Sequence, residues 1–177
     1  MTEETTSTEK PALNTWQRLK GTVLSPTATF RDVAAHPQFA GGALAACGIN
    51  LVLTLAIAPK IKAYTQYAIA SNPHIPAEQA AVMQNAASMA AVITAVVMSV
   101  IGSVLLWLVY AAVLKLINLF SGGRTAFGKL FAVAVFAYIP MLIGGLLHTV
   151  LMLFTPVEKC AYVTTSLAVV LPPPENI

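Results

Sequence analysis

Polar and apolar positions separate into blocks along this chain. The first block, residues 14–39, reads NTWQRLKGTVLSPTATFRDVAAHPQF and carries its apolar residues at helical spacing, with Trp16, Leu19 and Val23, then Phe30, Val33 and Ala34, set against Arg18, Lys20, Arg31 and Asp32. Asn14 or Thr15 is placed to cap one short helix, and Ser25 before Pro26 is an N-cap followed by a proline at the first helical position of a second. Two placements satisfy this pattern. The pair lies in the membrane interface, with Trp16, Arg18 and Lys20 as anchors at headgroup level, or it packs as an amphipathic hairpin on the protein's own cytoplasmic face.

The next blocks lose helical amphipathicity and become apolar throughout. Residues 39–59, FAGGALAACGINLVLTLAIAP, match the roughly 20 apolar residues that a helix needs to cross a hydrocarbon core. Gly41, Gly42 and Gly48 give this span a face that a neighbouring helix can approach closely, and Asn50 inside it needs a hydrogen-bond partner. The helix can continue past Pro59 to Ala70 before Asn72-Pro73 and Ile75-Pro76 break it. Ala77 to Phe120 is the longest helical pattern. Its apolar part, residues 89–118, is longer than a bilayer requires and therefore tilts or protrudes, with Trp107 as an interfacial anchor in its last third.

SGGRTAFGK, residues 121–129, is a turn, in which Gly122 and Gly123 allow positive backbone angles and Thr125 is placed to cap the following helix. The last span covers residues 130–154 and contains FAVAVFAYIPMLIGG. Pro140 inside it predicts a kink near Phe136 to Pro140, with Gly144 and Gly145 letting the second half approach the first span. The apolar part of the remaining tail, Ala161 to Leu171, is too short to cross as a helix. The expected fold is all-α: a polytopic membrane protein of three transmembrane helices preceded by short amphipathic interfacial helices. Its domain covers 14–171, between a disordered head (1–13) and a short tail (172–177).

Composition agrees with that pattern and narrows the chemistry. The chain is 57% hydrophobic and 10% charged, and no Asp or Glu lies between Glu78 and Glu158. Soluble chains carry about 25% charged residues. The head, MTEETTSTEK, has no features of a secretory signal. With three crossings, Lys10, Arg18, Lys20, Arg31, Lys115, Arg124 and Lys129 share one side, against Lys60, Lys62 and Lys159 on the other. The excess of basic residues places the amino terminus in the cytoplasm and the carboxyl terminus outside, in a multi-pass cell-membrane protein.

Candidate chemistry is sparse. No membrane-embedded carboxylate marks an ion pathway, and His74 stands between prolines without a second metal ligand nearby. Cys47 and Cys160 read as unpaired thiols. No cofactor, metal or catalytic residue is expected, and no nucleic-acid partner, since basic and aromatic residues do not interleave. The candidate polar positions inside the membrane are Asn50, Tyr138 and His148, of which His148 alone is titratable near neutrality.

LSPTATFRDVAAHPQF leading into a glycine-rich span, SGGRTAFGKLF before a later span and AYIP within it together resemble bacterial members of the Yip1 domain family, over about Asn14 to Leu171. The resemblance implies a small polytopic protein of the bacterial inner membrane with a cytoplasmic amino terminus and no enzymatic activity. The acidic motif of eukaryotic relatives is absent, and members usually carry five spans, so three implies a short or truncated member. Two functions are compatible with these residues. One is a non-enzymatic scaffold or adaptor in contact with the bilayer, with room for a membrane or cytoplasmic protein partner or a homo-oligomer. The alternative is a subunit of a transporter or channel for a small neutral solute, with a polar seam at Asn50, Tyr138 and His148.

Overall fold

The computed structural model describes residues 12–163; most of the expected head and the whole of the tail from 172 lie outside the described residues. Six α-helices follow one another: α1 (Thr15–Leu24), α2 (Pro26–Ala35), α3 (Ala40–Ala70), α4 (Ala77–Phe120), α5 (Phe127–Ala137) and α6 (Ile139–Phe154), and a 3-10 turn over Val157–Tyr162 packs against α3. Three segments are long and apolar enough to cross a membrane: α3, α4, and α5 with α6 together. The expected all-α, three-span membrane protein is therefore the architecture found.

The spans are longer than their apolar cores. α3 runs through Pro59 without interruption, and α4 extends over 44 residues, about 66 Å at 1.5 Å per residue, against a hydrocarbon core of about 30 Å. The excess lies at the end where α3 and α4 meet. There the Gln66 side-chain amide donates to Asn85 Oδ1 and Ser88 Oγ, both at 3.4 Å, so polar side chains hold the two extensions together.

At the opposite end, α1 and α2 form a hairpin docked on α5 and α3. A capping box closes its start: Gln17 N donates to Asn14 Oδ1 (2.8 Å), and Asn14 N donates to Gln17 Oε1 (2.9 Å). The two helices cross closely because Gly21 lies directly under the Thr29 side chain. Of the two placements open from sequence, the hairpin packs on the protein's own face. Trp16 is 63% and Leu24 81% exposed on the other side, with Lys20 Nζ 4.8 Å from the Trp16 ring centre.

Arg18 corrects the sequence reading. It is 1% exposed, and so is a core residue and not an interfacial anchor. Its Nε donates to Asp32 Oδ2 at 2.7 Å, its Nη1 donates to the Gln38 carbonyl at 3.1 Å, and its guanidinium carbon stands 5.9 Å from the centre of the Phe136 ring. Asp32 also accepts from the Leu13 backbone N–H (3.1 Å), which ties down the last residue of the expected head. An arginine this deeply buried is tolerated because its charge is paired and its planar face meets an aromatic ring.

Trp107 is the second correction. At 1% exposed it sits in the core and packs edge-on against Tyr138, with ring centres 5.7 Å apart. It shares that core with Val33, Ala46, Ala132, Val135 and Phe136.

The glycines divide by what they touch. A Cβ on Gly42 would sit 2.8 Å from Phe136 Cζ, and one on Gly41 would run into the Thr15 side chain, so both let neighbours approach the start of α3. Gly145 makes only ordinary contact with Leu53 of the first span (3.7 Å). Gly48 and Gly144, read as packing glycines, face open space, with nothing within 4 Å of a Cβ placed there among the described residues.

The turn at 121–126 is held from inside. Gly122 takes φ +75°, Asn118 Oδ1 accepts from Thr125 N (3.0 Å), and Lys115 Nζ donates to the Thr125 carbonyl (2.7 Å). Thr125 therefore belongs to the turn, and Ala126 is the residue that precedes α5.

Two substitution pairs test this packing in detergent-purified protein. Gly42→Ala should destabilise by about 1–3 kcal/mol through overpacking on Phe136, whereas Gly48→Ala should stay within about 0.5 kcal/mol; equal losses in chemical unfolding would refute the close approach. Arg18→Met, which strands Asp32, should cost about 3 kcal/mol and open the hairpin to trypsin. The double variant Arg18→Met/Asp32→Leu should recover most of that loss.

Candidate functional site

A lone amide in an apolar helix must find partners within the protein, because lipid offers none. Asn50 lies ten residues into α3, about 15 Å along the helix and so close to the middle of a bilayer core. Its Nδ2 donates both hydrogens, one to Ser103 Oγ on α4 (2.8 Å) and one to the Tyr138 hydroxyl (3.0 Å). One side chain thus joins all three spans.

Each partner is placed by local structure. Ser103 is one turn from Ser99 and one turn from Trp107, so the three share a stripe of α4. Its hydroxyl donates back to the Ser99 carbonyl (2.8 Å), which leaves the oxygen lone pairs for Asn50. Tyr138 occupies the break between α5 and α6. Pro140 has no N–H to continue the ladder, and regular helix lapses at Tyr138, within the stretch Phe136 to Pro140 where the kink is expected, with Tyr138 itself near helical dihedrals (φ −74°, ψ −22°). The break frees Tyr138 to lean across toward Trp107 and Asn50.

The break also redirects the chain. α5 packs against α4, whereas α6 leaves α4 and packs along α3. The space between the spans is a recess of about 350 Å³. Asn50 and Thr54 line it from α3, Ser103 from α4, and Tyr138, His148 and Thr149 from the last span, so the three candidate polar positions border one space. Apolar walls come from Leu53, Ile57, Met98 and Leu106. Among the described residues no Asp, Glu, Lys or Arg side chain lines it.

The other candidates stay apart from this recess. Trp16 and Lys20 form a cation–π pair on the exposed face of the hairpin, while Arg18 and Trp107 are structural. His74 is exposed, with its backbone N–H on Asn72 Oδ1 (3.0 Å), an Asx turn. Cys47 and Cys160 are unpaired, and no group of three or more metal-ligating side chains occurs among the described residues. The arrangement offers hydrogen bonding to an uncharged group.

Sequence reasoning missed two participants. Ser103 is not among the polar positions singled out from sequence, although its four-residue spacing from Trp107 places both on the stripe that faces Tyr138. Asp32 was counted only as the polar side of α2, although an acid and a base on two short helices joined by Ser25-Pro26 are within reach of each other.

Comparison with known proteins agrees with this architecture. The Yip1 domain matches residues 20–171, which takes in most of the hairpin and all three spans. No curated protein and no solved structure matches the chain.

Removing the shared donor should be measurable but not ruinous. Asn50→Leu should lower stability by about 1 kcal/mol, since interhelical hydrogen bonds in membranes average about 0.6 kcal/mol each. A double-mutant cycle with Tyr138→Phe should return a coupling near that single-bond value. A coupling of zero would mean that the contact does not join the spans in the folded protein.

Proposed function

We propose, from the premise that this chain belongs to the Yip1 domain family, that it is a non-enzymatic membrane-organising scaffold with its amino terminus and the SGGR turn in the cytoplasm. The observation that carries this reading is the docked hairpin. The Arg18–Asp32 pair joins α1 to α2 and Arg18 Nη1 donates to the Gln38 carbonyl just before α3, while Trp16, Val23 and Leu24 remain exposed, as do Lys20 and Arg31. An aromatic and aliphatic edge flanked by bases is suited to the headgroup layer of an anionic membrane or to an acidic partner seated there. The distribution of basic residues supports the orientation. The lack of a carboxylate, metal cluster or triad among the described intramembrane residues leaves the spans with packing and hydrogen bonding as their chemistry.

A second reading, a transporter or channel subunit for a small neutral solute, is favoured by the convergence of Asn50, Tyr138 and His148 on one recess. It requires a path on both sides of that recess.

Reporter fusions after Gly123 and at Ile177 should report cytoplasm and exterior respectively, and a common location for the two would refute the orientation. Purified protein in liposomes should pass glycerol no faster than empty liposomes. Glycerol flux that Gly102→Leu abolishes would overturn the scaffold in favour of the solute path.

A further inference from the structure

The recess between α4 and α6 has a property that neither reading uses: it is closed toward the hairpin. On the side of the hairpin its lining stops at Ser103, Leu106 and Tyr138, and the buried Trp107 packs edge-on behind Tyr138 with ring centres 5.7 Å apart. The way in that the helix arrangement leaves is sideways, because α6 departs from α4 after Tyr138 while both helices remain against α3 or α5. Of the flanking side chains, Met98 is half exposed and apolar, as suits a margin that faces hydrocarbon.

The polar groups inside are incompletely used. Asn50 Nδ2 is occupied twice, but its Oδ1, the hydroxyl hydrogen of Tyr138, the Thr54 and Thr149 hydroxyls and the His148 ring have no hydrogen-bond partner among the described residues. Unmatched polar groups in a hydrocarbon layer cost free energy, and water in contact with lipid on one side cannot satisfy them cheaply. A recess of about 350 Å³ exceeds by about tenfold the roughly 30 Å³ share of one water. Among the described residues no Asp, Glu, Lys or Arg lines it, so an ionic group would meet no fixed counter-charge there.

We infer that the recess binds the uncharged polar group, a hydroxyl flanked by ester or amide carbonyls, of a membrane amphiphile that enters sideways between α4 and α6. A hydroxyl gives a donor to Asn50 Oδ1 and an acceptor to the Tyr138 hydroxyl. Leu53, Ile57, Met98 and Leu106 line the way for the chain that follows. The site is shared with the solute reading, but a recess closed at one end serves binding without flux, so the absence of glycerol transport leaves this inference intact.

The test uses full-length protein in phosphatidylcholine nanodiscs with a diacylglycerol that carries a diazirine in one acyl chain. Labelled peptides should map to the facing parts of α4 and α6, and unlabelled dioleoylglycerol should compete. Tyr138→Phe should lower labelling about fivefold, the equivalent of one neutral hydrogen bond of about 1 kcal/mol. Gly102→Leu fills the recess without a backbone clash, since a Cβ there meets nothing nearer than Met98 Cβ at 4.0 Å; it should abolish labelling while the melting temperature holds. Several results would overturn the inference: labelling spread evenly over the lipid-facing helices, labelling unchanged in Gly102→Leu, or equal labelling by the phosphatidate of the same chains. Protection by aqueous glycerol but not by dioleoylglycerol would assign the site to a water-borne ligand and overturn the membrane source.

Discussion

Three parts of the molecule meet on the ring of Phe136. Its tip lies against the bare backbone at Gly42 of α3, the guanidinium of Arg18 from the amino-terminal hairpin stands 5.9 Å from the ring centre, and the residue itself is one turn before Pro140. Each contact depends on another. The ring fits because position 42 has no side chain, and Arg18 can be buried because Asp32 neutralises it and an aromatic face meets it. The hairpin is seated because Arg18 is. A change at any one of these positions would be felt as a loosening of the hairpin on the bundle.

The same chain segment sets the polar interior. Because regular α-helix stops at Ala137 and resumes at Ile139, Tyr138 reaches into the bundle and α6 takes a different neighbour from α5. A straight helix would have packed along α4 for its whole length and closed the space. The interrupted one leaves a recess whose apex is the Asn50–Ser103–Tyr138 junction. Closing one end and opening the side follow from one geometric event. In a membrane such an interruption is tolerable because the freed polar groups and the polar side chains sit together inside the protein and not against lipid.

The docked hairpin and the half-satisfied intramembrane recess are thus consecutive layers of one core. Phe136 belongs to the first and, two residues on, Tyr138 to the second. A ligand that pulled on Tyr138 would act on a helix end that also carries the hairpin's seat, and the buried aromatic pair Trp107–Tyr138 is the element that both layers share.

The sequence by itself determined the spans, since uninterrupted apolar length has no other solvent to satisfy it. It determined the helix of Ala77–Phe120 and the end of α3 at Ala70, because Pro73 and Pro76 interrupt the chain between the two helices and Gly122-Gly123 turns it after Phe120. It also carried the family, through the order of LSPTATFRDVAAHPQF, SGGRTAFGKLF and AYIP. It could not show that Arg18 and Trp107 turn inward, because a base or an indole near a membrane surface has the same local pattern whether it snorkels to water or pairs inside. Nor could it separate Gly42 from Gly48: both keep a backbone accessible, and only the direction of a neighbouring helix decides which one is used. The joining of Asn50, Ser103 and Tyr138 required positions 53 and 88 residues apart to come within 3 Å. That depends on helix crossing angles, which are set by packing across the whole bundle and by no local stretch of the chain.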